Sequence, residues 1–543
     1  MKIVDYEKRK NKELFKKFKE LKKLNIQEVQ NYIPIYKEFF NFKENQNINL
    51  NHKYFITHIE DETAMDSSND VEFAEKIFSI RVSDGKETKK TKTFLKLIPV
   101  IEASKFLVGK YKLTDEDFYK LPSVEEKGHA NFYDINNISY IDSLFSFLSS
   151  QLLHQYHFVN ALDYYGSFLS LIKDFKLNIG EDIEYYAESD FFMKNKNKLF
   201  KMDDKPLLNI EDVDATIDFD DLNEIQLSEN EIISTELVEH ELTEPEDEPE
   251  VEAEVTEPET EIERQEVFSD SSCSSRSSHT GSGSGSGSEH DSESAYSSEF
   301  SFCENINVTF DKYIVQITCL EHCEDTLDNL ITNKKITSED EWFACFFQII
   351  MSLIVFQDVF EFTHNDLHTN NIMFIPTKEK YLNYCYKGIY YKVPTYGRIF
   401  KIIDFGRSIY KVNGKIFCSN SFQPSGDAAT QYNTEPYMNP NKRRIDPNYS
   451  FDICRLACSM WDNFFPSKFK NVAKLVDEWC SDDNGLNVLY KKNGEERYPN
   501  FKLYKMIART VHNHTPHNQL KRPEFSKYKS KKTENAINLD IKI

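Results

Sequence analysis

Alternating apolar and polar positions predict a β-hairpin between residues 73 and 101. The segment FAEKIFSIRV alternates, a polar turn with Asp84 and Gly85 follows, and TKTFLKLIPVI alternates again. A period of two places every second side chain on the same face of a strand. We therefore expect two antiparallel strands joined by a tight turn.

Apolar residues at helical spacing predict three longer helices. The first lies within residues 1–45, where apolar positions recur among many lysines. The second runs from Ile138 to His154. The third, mostly apolar, runs from Ser338 to Phe360, with Ser338 as its N-cap and acidic residues in its first turn. We expect the first helix to pack on the domain behind it; a helix lying on a membrane surface is the alternative. Its apolar positions are Leu14, Phe15, Phe18, Leu21 and Leu24.

Shorter patterned segments lie between these helices. Residues 161–172 and 307–321 are rich in β-branched and aromatic side chains and predict strands. A short helix is expected to begin near Thr326, and a polar hairpin is expected at residues 378–398. Strands and helices are therefore mixed along the chain.

Periodicity is lost between residues 206 and 303. An acidic run with prolines is followed by a serine-rich tract that contains GSGSGSGS. Low hydrophobicity and charge repulsion cannot offset the entropy lost on ordering, and a Gly-Ser repeat adds flexibility. We expect this segment to be disordered.

The same segment accounts for the acidity of the chain. The 543 residues carry a formal net charge of −24 at pH 7, and 39% of them are hydrophobic. Residues 211–300 hold 29 acidic and 2 basic side chains, which leaves 64 basic and 61 acidic residues elsewhere. The rest is thus close to neutral, which argues against a nucleic-acid mimic and against a basic domain that binds nucleic acid.

Cysteine usage and the apolar stretches indicate an intracellular, soluble protein. The ten cysteines include no C-x-x-C pair, and no clustered histidines complete a zinc site, so we expect reduced thiols. The N-terminus has no apolar signal-peptide core. The most apolar stretch, Trp342–Phe356, is shorter than a bilayer span and is typical of a buried helix. We expect a cytoplasmic protein, neither secreted nor transmembrane.

Two polar motifs that follow the long apolar helix carry the candidate chemistry. Asp366 and Asn371 lie five apart in HNDLHTNN, and Asp404 follows an apolar strand in IIDFG. Phosphoryl transfer requires metal to neutralise the triphosphate and a carboxylate to receive the proton of the acceptor hydroxyl. Two aspartates and an amide in this order would supply those oxygens.

These residues resemble the protein kinase superfamily, in which H-R-D-L-x-x-x-N precedes D-F-G. The resemblance implies that Asp366 orients and deprotonates the acceptor hydroxyl. It implies that Asn371 and Asp404 bind the metal ion, and that His364 and Phe405 pack in the structural core.

The resemblance extends to the nucleotide site. Lys96, on the second strand of the hairpin, takes the place of the family's V-A-I-K lysine. The helix expected to supply an acidic partner for Lys96 contains no glutamate, and Asp142 is its best candidate for that partner. Glu321 and Cys323 lie in a segment that resembles the hinge after the family's fifth strand, where backbone groups bind adenine.

Three further positions resemble the later part of the family's domain. Asp452 begins a helix whose aspartate would brace the catalytic loop, and Arg522 lies in a segment that resembles R-P-x-F. Glu435 would stand in for the A-P-E glutamate that pairs with that arginine. The sequence around Asp366 and Asp404 most resembles that of the kinase-like proteins of large nucleocytoplasmic DNA viruses. This resemblance implies the host cytoplasm or the virion as the location.

Four features depart from the family's pattern. Residues 61–78, before the first strand of the hairpin, contain no G-x-G-x-x-G, so how the phosphates are held is open. Asn365 replaces the arginine that reads a phosphorylated activation loop, so switching by phosphorylation there is not expected. His368 replaces a lysine that contacts the transferred phosphate, and Asp142 replaces a glutamate.

The resemblance implies an α+β, bilobal protein-kinase-like fold whose N-lobe carries a long acidic disordered insertion. The domain organisation it implies is a helical N-terminal extension (1–50), the first part of the N-lobe (51–205), the insertion (206–303), the end of the N-lobe and hinge (304–330), the C-lobe (331–530) and a tail (531–543).

The expected activity is transfer of the ATP γ-phosphate to protein hydroxyls, mainly of serine and threonine, with Mg²⁺ or Mn²⁺ as the metal. A protein substrate and a basic protein bound to the insertion are the expected partners, with neither nucleic acid nor a membrane. The alternatives are a pseudokinase scaffold and a small-molecule kinase of the aminoglycoside or choline type. Joint retention of Lys96, Asp366, Asn371 and Asp404 argues against the first, and the D-F-G glycine argues against the second.

Overall fold

The structure, a computed structural model, describes residues 3–40, 48–63, 76–111, 116–125, 128–202, 306–464 and 468–542. The insertion predicted at residues 206–303 lies outside the described residues. So do residues 64–75, which occupy most of the place of the family's glycine-rich loop.

The described chain mixes helices and strands in several sheets, which confirms the α+β expectation. The strands are β1 (Tyr6–Lys8), β2 (Ile26–Gln30), β3 (Ile48–Leu50), β4 (Phe55–Thr63), β5 (Ile77–Ser83), β6 (Thr88–Pro99), β7 (Tyr164–Asn178), β8 (Phe200–Met202), β9 (Asn307–Glu321), β10 (Asp325–Thr326), β11 (Ile372–Pro376), β12 (Tyr381–Tyr386), β13 (Ile389–Pro394), β14 (Arg398–Ile402), β15 (Ile409–Val412), β16 (Lys415–Cys418), β17 (Lys529–Ser530) and β18 (Ile537–Asn538).

The helices divide into two long ones and several of five turns or fewer. They are α1 (Lys12–Glu20), α2 (Ala103–Leu107), α3 (Ile138–Tyr156), α4 (Ile183–Ala187), α5 (Asp190–Asn195), α6 (Leu327–Thr332), α7 (Glu339–Phe360), α8 (Phe451–Phe464), α9 (Lys470–Trp479), α10 (Lys502–Thr510), α11 (Pro516–Gln519) and α12 (Pro523–Ser526).

The largest sheet is antiparallel and has the order β2-β7-β9-β6-β5-β4, with the short β8 on the first half of β9. The predicted hairpin is confirmed as β5 and β6, paired from Ile77 opposite Phe94 to Ser83 opposite Thr88. The Asp84 carboxylate accepts the backbone N–H groups of the two residues after Gly85, 2.9 Å away in each case, and Gly85 has φ +90°. Asx capping and a glycine at positive φ are what a tight turn requires.

Residues 1–50 differ from the expected helical extension. Helix α1 does pack on the main sheet, since Phe18 is buried and its ring centroid lies 5.4 Å from that of Phe168. It ends at Glu20, however, so Leu21 and Leu24 of the predicted stripe lie beyond it. The segment also contains β1, β2 and β3, and β2 extends the main sheet along β7. The extension is therefore mixed, because three short strands find partners far away in the sequence.

Helix α3 connects the main sheet to the rest of the molecule. Its N-cap is Asn137, whose side chain accepts a hydrogen bond from the N–H of Ser139. Its Phe145 ring stacks on Phe362 with centroids 4.2 Å apart and lies 4.7 Å from Phe405. These rings join α3 to the segments that carry the HNDLH and DFG motifs.

Helix α7 is the core helix of the second half of the chain. The Ser338 hydroxyl caps the helix by accepting a hydrogen bond from the N–H of Glu341. Three acidic residues occupy its first turn, where their negative charge interacts favourably with the helix dipole. It is long and apolar enough to cross a bilayer, but 89% of its most apolar stretch is buried inside the protein. That burial is typical of the core helix of a folded domain, as the sequence predicts.

Small sheets and helices around α7 position the polar motifs. Strands β10, β11 and β14 form one sheet, in which Ile372 pairs with Ile402. The predicted polar hairpin is confirmed as β12 and β13, which pair from Tyr381 opposite Pro394 to Tyr386 opposite Ile389. Helix α8 begins beside the HNDLH loop and packs against α9.

Candidate active site

Lys96 contacts two carboxylates, its predicted partner Asp142 and also Asp404, which was predicted only as a metal ligand. On β6 it points to the face opposite the buried Leu95. Its Nζ lies 2.7 Å from Asp142 Oδ1 on α3 and 2.9 Å from Asp404 Oδ1. The Lys96 side chain is 19% exposed, Asp142 1% and Asp404 49%. The aspartate at 142 thus reaches the lysine although it is one methylene shorter than glutamate.

The charges in this triad depend on one another. Burial acts to lower the pKa of Lys96, but the two carboxylates outweigh it and raise that pKa above its ordinary value. Burial raises the pKa of Asp142, against the attraction of Lys96. Loss of solvent acts to raise the pKa of Asp404 as well. The Lys96 ammonium outweighs this effect, however, so the pKa of Asp404 is lowered. Lys96 therefore remains an ammonium and keeps Asp404 ionised.

Asp142 has a second role as a link between α3 and the D-F-G segment. Its Oδ1 also accepts the backbone N–H of Phe405, 2.7 Å away. Phe405 is fully buried, and its ring lies 5.9 Å from that of the buried His364. The predicted packing of His364 and Phe405 in the core is confirmed.

Asp452, at the start of α8, holds the HNDLH loop through the backbone of that loop. The Asp452 carboxylate accepts the backbone N–H groups of His364 at 2.9 Å and of Asn365 at 2.8 Å. This confirms the predicted bracing role of Asp452. Asn365 has φ +65°, a left-handed conformation that asparagine adopts more readily than most residues. Its side-chain oxygen accepts the hydroxyl of the buried Tyr432 at 2.8 Å.

Asp366 is held on one carboxylate oxygen and along its backbone. Its Oδ1 accepts the hydroxyl of Tyr504 at 2.8 Å. Its backbone N–H donates to His364 Nδ1 at 3.3 Å, while His364 Nε2 donates to the Ile403 carbonyl at 2.9 Å. The two bonds are consistent with one neutral tautomer of His364. Among the described residues nothing hydrogen-bonds to Asp366 Oδ2.

Asn371 is oriented so that its amide oxygen is left available. Its Nδ2 donates to the Asp366 carbonyl at 2.9 Å and to His368 Nε2 at 3.0 Å. Burial lowers the pKa of His368 to about 4, although Asp366 opposes this, so its imidazole is neutral near pH 7 and Nε2 can accept. Both amide hydrogens are used, and no described residue donates to Asn371 Oδ1, so this oxygen is available to a ligand.

Asn371 directly precedes β11, and Asp404 follows the last residue of β14 by two positions. The Ile403 N–H donates to the Asn371 carbonyl at 3.0 Å and so extends the ladder of the two strands. Within the described ranges, no three His, Cys, Asp or Glu residues lie close enough to hold a metal ion by themselves. A carboxylate and an amide oxygen fit Mg²⁺, which takes only one or two protein ligands when phosphates and water supply the rest.

The predicted hinge residues have structural side chains. The Glu321 carboxylate accepts from Lys401, which is 1% exposed, at 2.7 Å and from the Asp163 N–H at 3.2 Å. Cys323 is buried, and burial raises the pKa of its thiol to about 12. Only the backbone groups of Glu321 and Cys323 are therefore left to contact a nucleotide, and nucleotide binding by this segment stays a prediction.

One predicted pairing is wrong. Glu435 pairs with Arg444 at 2.8 Å, and Arg522 pairs instead with Glu478 at 2.6 Å. Arg444 lies nine residues from Glu435 on the same exposed loop, so the local arginine takes the carboxylate that the family pattern assigns to Arg522.

Two residues near Asp366 were not predicted. Tyr504 belongs to no motif and lies 138 residues from Asp366 in the chain, so only the folded structure brings them together. Arg455, which is buried, lies with its guanidinium carbon 4.9 Å from the Tyr504 ring centroid. A signal for Arg455 was present, since residues three apart on a helix share a face and Arg455 follows Asp452 by three.

Comparison with known proteins relates part of the chain to a kinase. No protein-family model matches the sequence. Over 101 residues the chain is 30% identical to a protein of Invertebrate iridescent virus 3 named "Probable kinase 098L". The match covers 19% of this chain and 19% of the viral protein, so the chain spans about a fifth of the length of that relative. Over this part the sequence is therefore weakly similar to a viral protein that is named as a probable kinase.

Proposed function

We propose that the protein is an ATP-dependent protein kinase that transfers the γ-phosphate to serine or threonine hydroxyls. The observation that carries the proposal is the triad in which Lys96 bridges Asp142 and Asp404, with the Asn371 carbonyl bonded to Ile403, the residue before Asp404. A lysine–acid pair and a metal-binding aspartate must both be in place for phosphoryl transfer by protein kinases. The partial relationship to a protein named as a kinase supports the same activity.

The arrangement of the main sheet supports a bilobal protein-kinase-like fold. Counted from β4, Lys96 lies on the third strand and the segment around Cys323 follows the long strand β9. We infer that β4–β9 and α3 form the N-lobe and that α7–α12 form most of the C-lobe.

Each polar group has a distinct task in the proposed reaction. Lys96 would bind the triphosphate, and Asn371 and Asp404 would hold Mg²⁺ or Mn²⁺, which neutralises the charge that develops on the phosphates. Asp366 would orient the acceptor hydroxyl and take its proton on Oδ2, since Oδ1 is already bonded to Tyr504. The hydroxyl oxygen then forms the new bond to the γ-phosphorus as the bond to the ADP oxygen breaks.

A transfer assay with γ-labelled ATP tests this proposal. Wild-type protein is incubated with generic protein substrates, with and without Mg²⁺ and a chelator, and label is counted on protein and on small molecules. Metal-dependent label on serine or threonine supports the proposal. ATP binding with label on small-molecule acceptors alone would favour the aminoglycoside- or choline-type alternative. Absence of both binding and transfer would favour a pseudokinase.

A further inference from the structure

Tyr504 contacts Asp366 from a helix that carries no recognised motif. It lies on α10, is 2% exposed, and places its hydroxyl 2.8 Å from Asp366 Oδ1. An ionised carboxylate can only accept hydrogen bonds, so the phenol donates to it. Such a bond to a charged group is stronger than one between neutral groups.

The position of the Tyr504 hydroxyl is fixed by packing around its ring. Phe501 stacks on the ring with centroids 5.3 Å apart, and Phe451 lies 6.2 Å away. The Arg455 guanidinium covers the ring at 4.9 Å and also hydrogen-bonds to the Tyr504 side chain. A ring enclosed on these sides has little freedom to move its hydroxyl away from Asp366.

This bond divides the two oxygens of Asp366 between two tasks. Oδ1 is occupied by Tyr504, whereas Oδ2 has no partner among the described residues. Without Tyr504 the carboxylate of Asp366, which is half-buried, would be free to rotate about its χ2 angle, because the other bonds of this residue go to its backbone. Because the two oxygens are chemically equivalent, what the bond fixes is the plane of the carboxylate, and with it the direction in which the second oxygen points.

We propose that Tyr504 is a positioning residue that fixes the carboxylate of Asp366 with Oδ2 turned toward the acceptor hydroxyl. This inference rests on the proposed function, in which Asp366 is the proton acceptor. It assigns to α10 a part in phosphoryl transfer that no motif of the sequence indicates.

The test removes the hydroxyl and keeps the ring. Tyr504→Phe should lower kcat about tenfold to a hundredfold, because a hydrogen bond to a charged group is worth that much, and should leave the KM for ATP unchanged. The matched control is Tyr384→Phe. The Tyr384 hydroxyl is also fully buried and hydrogen-bonded, to Asn160 Oδ1 at 2.7 Å, but this bond does not involve Asp366.

A double variant shows whether Tyr504 acts through Asp366. In an Asp366→Asn background, adding Tyr504→Phe should cost little further activity, since the group it positions is already gone. An equal fold-loss in both backgrounds would contradict the inference. So would a Tyr504→Phe protein whose kcat matches that of Tyr384→Phe.

A second variant guards against poor folding of Tyr504→Phe. Phe501→Leu loosens the stacked ring but keeps the hydroxyl, and should lower kcat by a smaller factor, again at constant KM for ATP. Unchanged kcat in this variant and in Tyr504→Phe would overturn the inference while leaving the proposed function standing. A wild-type protein that transfers no phosphate would instead contradict the proposed function and the role of Tyr504 with it.

Discussion

At the residue scale, the candidate site depends on a few buried charges that hold one another in place. Asp142, which is almost fully buried, has two partners, the Lys96 ammonium and the Phe405 N–H. Removing the ammonium leaves an uncompensated carboxylate in a low-dielectric environment, which is more costly than never having buried the pair.

Substitution of Lys96 by methionine should therefore affect stability as well as nucleotide binding. We expect the free energy of unfolding to fall by about 3 kcal/mol, the lower end of the range for breaking a buried ion pair, since the Phe405 N–H still bonds to Asp142 Oδ1. ATP binding should be lost. Urea unfolding and a thermal-shift titration with Mg·ATP measure the two effects.

The matched control for this substitution is Lys92→Met. Lys92 is an exposed lysine on the same face of β6, and we expect its replacement to change the free energy of unfolding by less than about 0.5 kcal/mol. Equal losses in the two variants would show that the Lys96 ion pairs contribute nothing specific.

At this scale, the site residues that could be predicted from the sequence are those that belong to motifs with fixed spacing. Asp366, Asn371 and Asp404 stand at fixed spacings, and Lys96 lies on a strand whose alternation is visible in the sequence. Tyr504 could not be predicted, because its contact with Asp366 depends on the tertiary placement of α10. The Glu435 pairing was predicted wrongly because a local arginine competes for the same carboxylate.

At the element scale, predictions succeeded where the pattern is long and local. Helices α3 and α7, the β5–β6 hairpin and β9 lie where their periodicity places them. Residues 1–50 did not follow the prediction because β1 and β3 are three residues long and pair with each other across the chain, Tyr6 with Leu50. Strands this short carry too little alternation to be recognised without their partner.

The N-terminal elements are attached to the main sheet around His52. This histidine is buried, contacts Arg9 at 2.7 Å and packs against the Tyr164 ring at 4.9 Å. Burial, reinforced by the Arg9 guanidinium, lowers the pKa of His52 well below its ordinary value. The folded protein therefore keeps His52 neutral in mildly acidic solution.

Stability should fall in acid because of this histidine. Below about pH 6.5, its ordinary pKa, the unfolded chain takes up a proton at residue 52 that the folded protein does not, so the free energy of unfolding falls by up to about 1.4 kcal/mol per pH unit. Urea unfolding of wild type and His52→Gln at about pH 7 and about pH 5.5 measures this.

The control is His58→Gln, on the partly exposed β4. Of these two variants, His52→Gln should make the dependence of stability on pH less steep; the buried His368, whose pKa is also lowered, keeps part of that dependence. An unchanged slope in His52→Gln, relative to wild type, would show that His52 is protonated equally in both states.

At the scale of the whole molecule, the described strands on either side of the predicted insertion pair with each other. Met202 at the end of β8 pairs with Val308 near the start of β9. The chain thus leaves the main sheet and returns to it within one antiparallel ladder. A long segment placed in such a hairpin can be shortened without moving either strand.

Deletion of residues 206–303 should accordingly leave the fold intact. Closing a shorter flexible connection costs less entropy, so we expect the free energy of unfolding to rise, by up to about 2 kcal/mol. Kinase activity on an added substrate should be retained. Replacement of the same residues by a Gly-Ser chain of equal length is the control and should match wild type in stability. Loss of stability or of activity in the deletion would show that the segment is part of the folded domain.

The most direct test of the proposed kinase activity is the transfer of labelled phosphate from ATP with Mg²⁺, compared between wild type and Asp366→Asn. Asparagine keeps the acceptor oxygen for the Tyr504 hydroxyl but cannot take a proton, so the fold should be unchanged in a thermal-unfolding control. We predict metal-dependent labelling by the wild type that falls about 10²–10⁴-fold in the variant, the range for loss of a positioned proton acceptor. Equal labelling by the two proteins, or none by either, would contradict the assignment of Asp366 as the catalytic base.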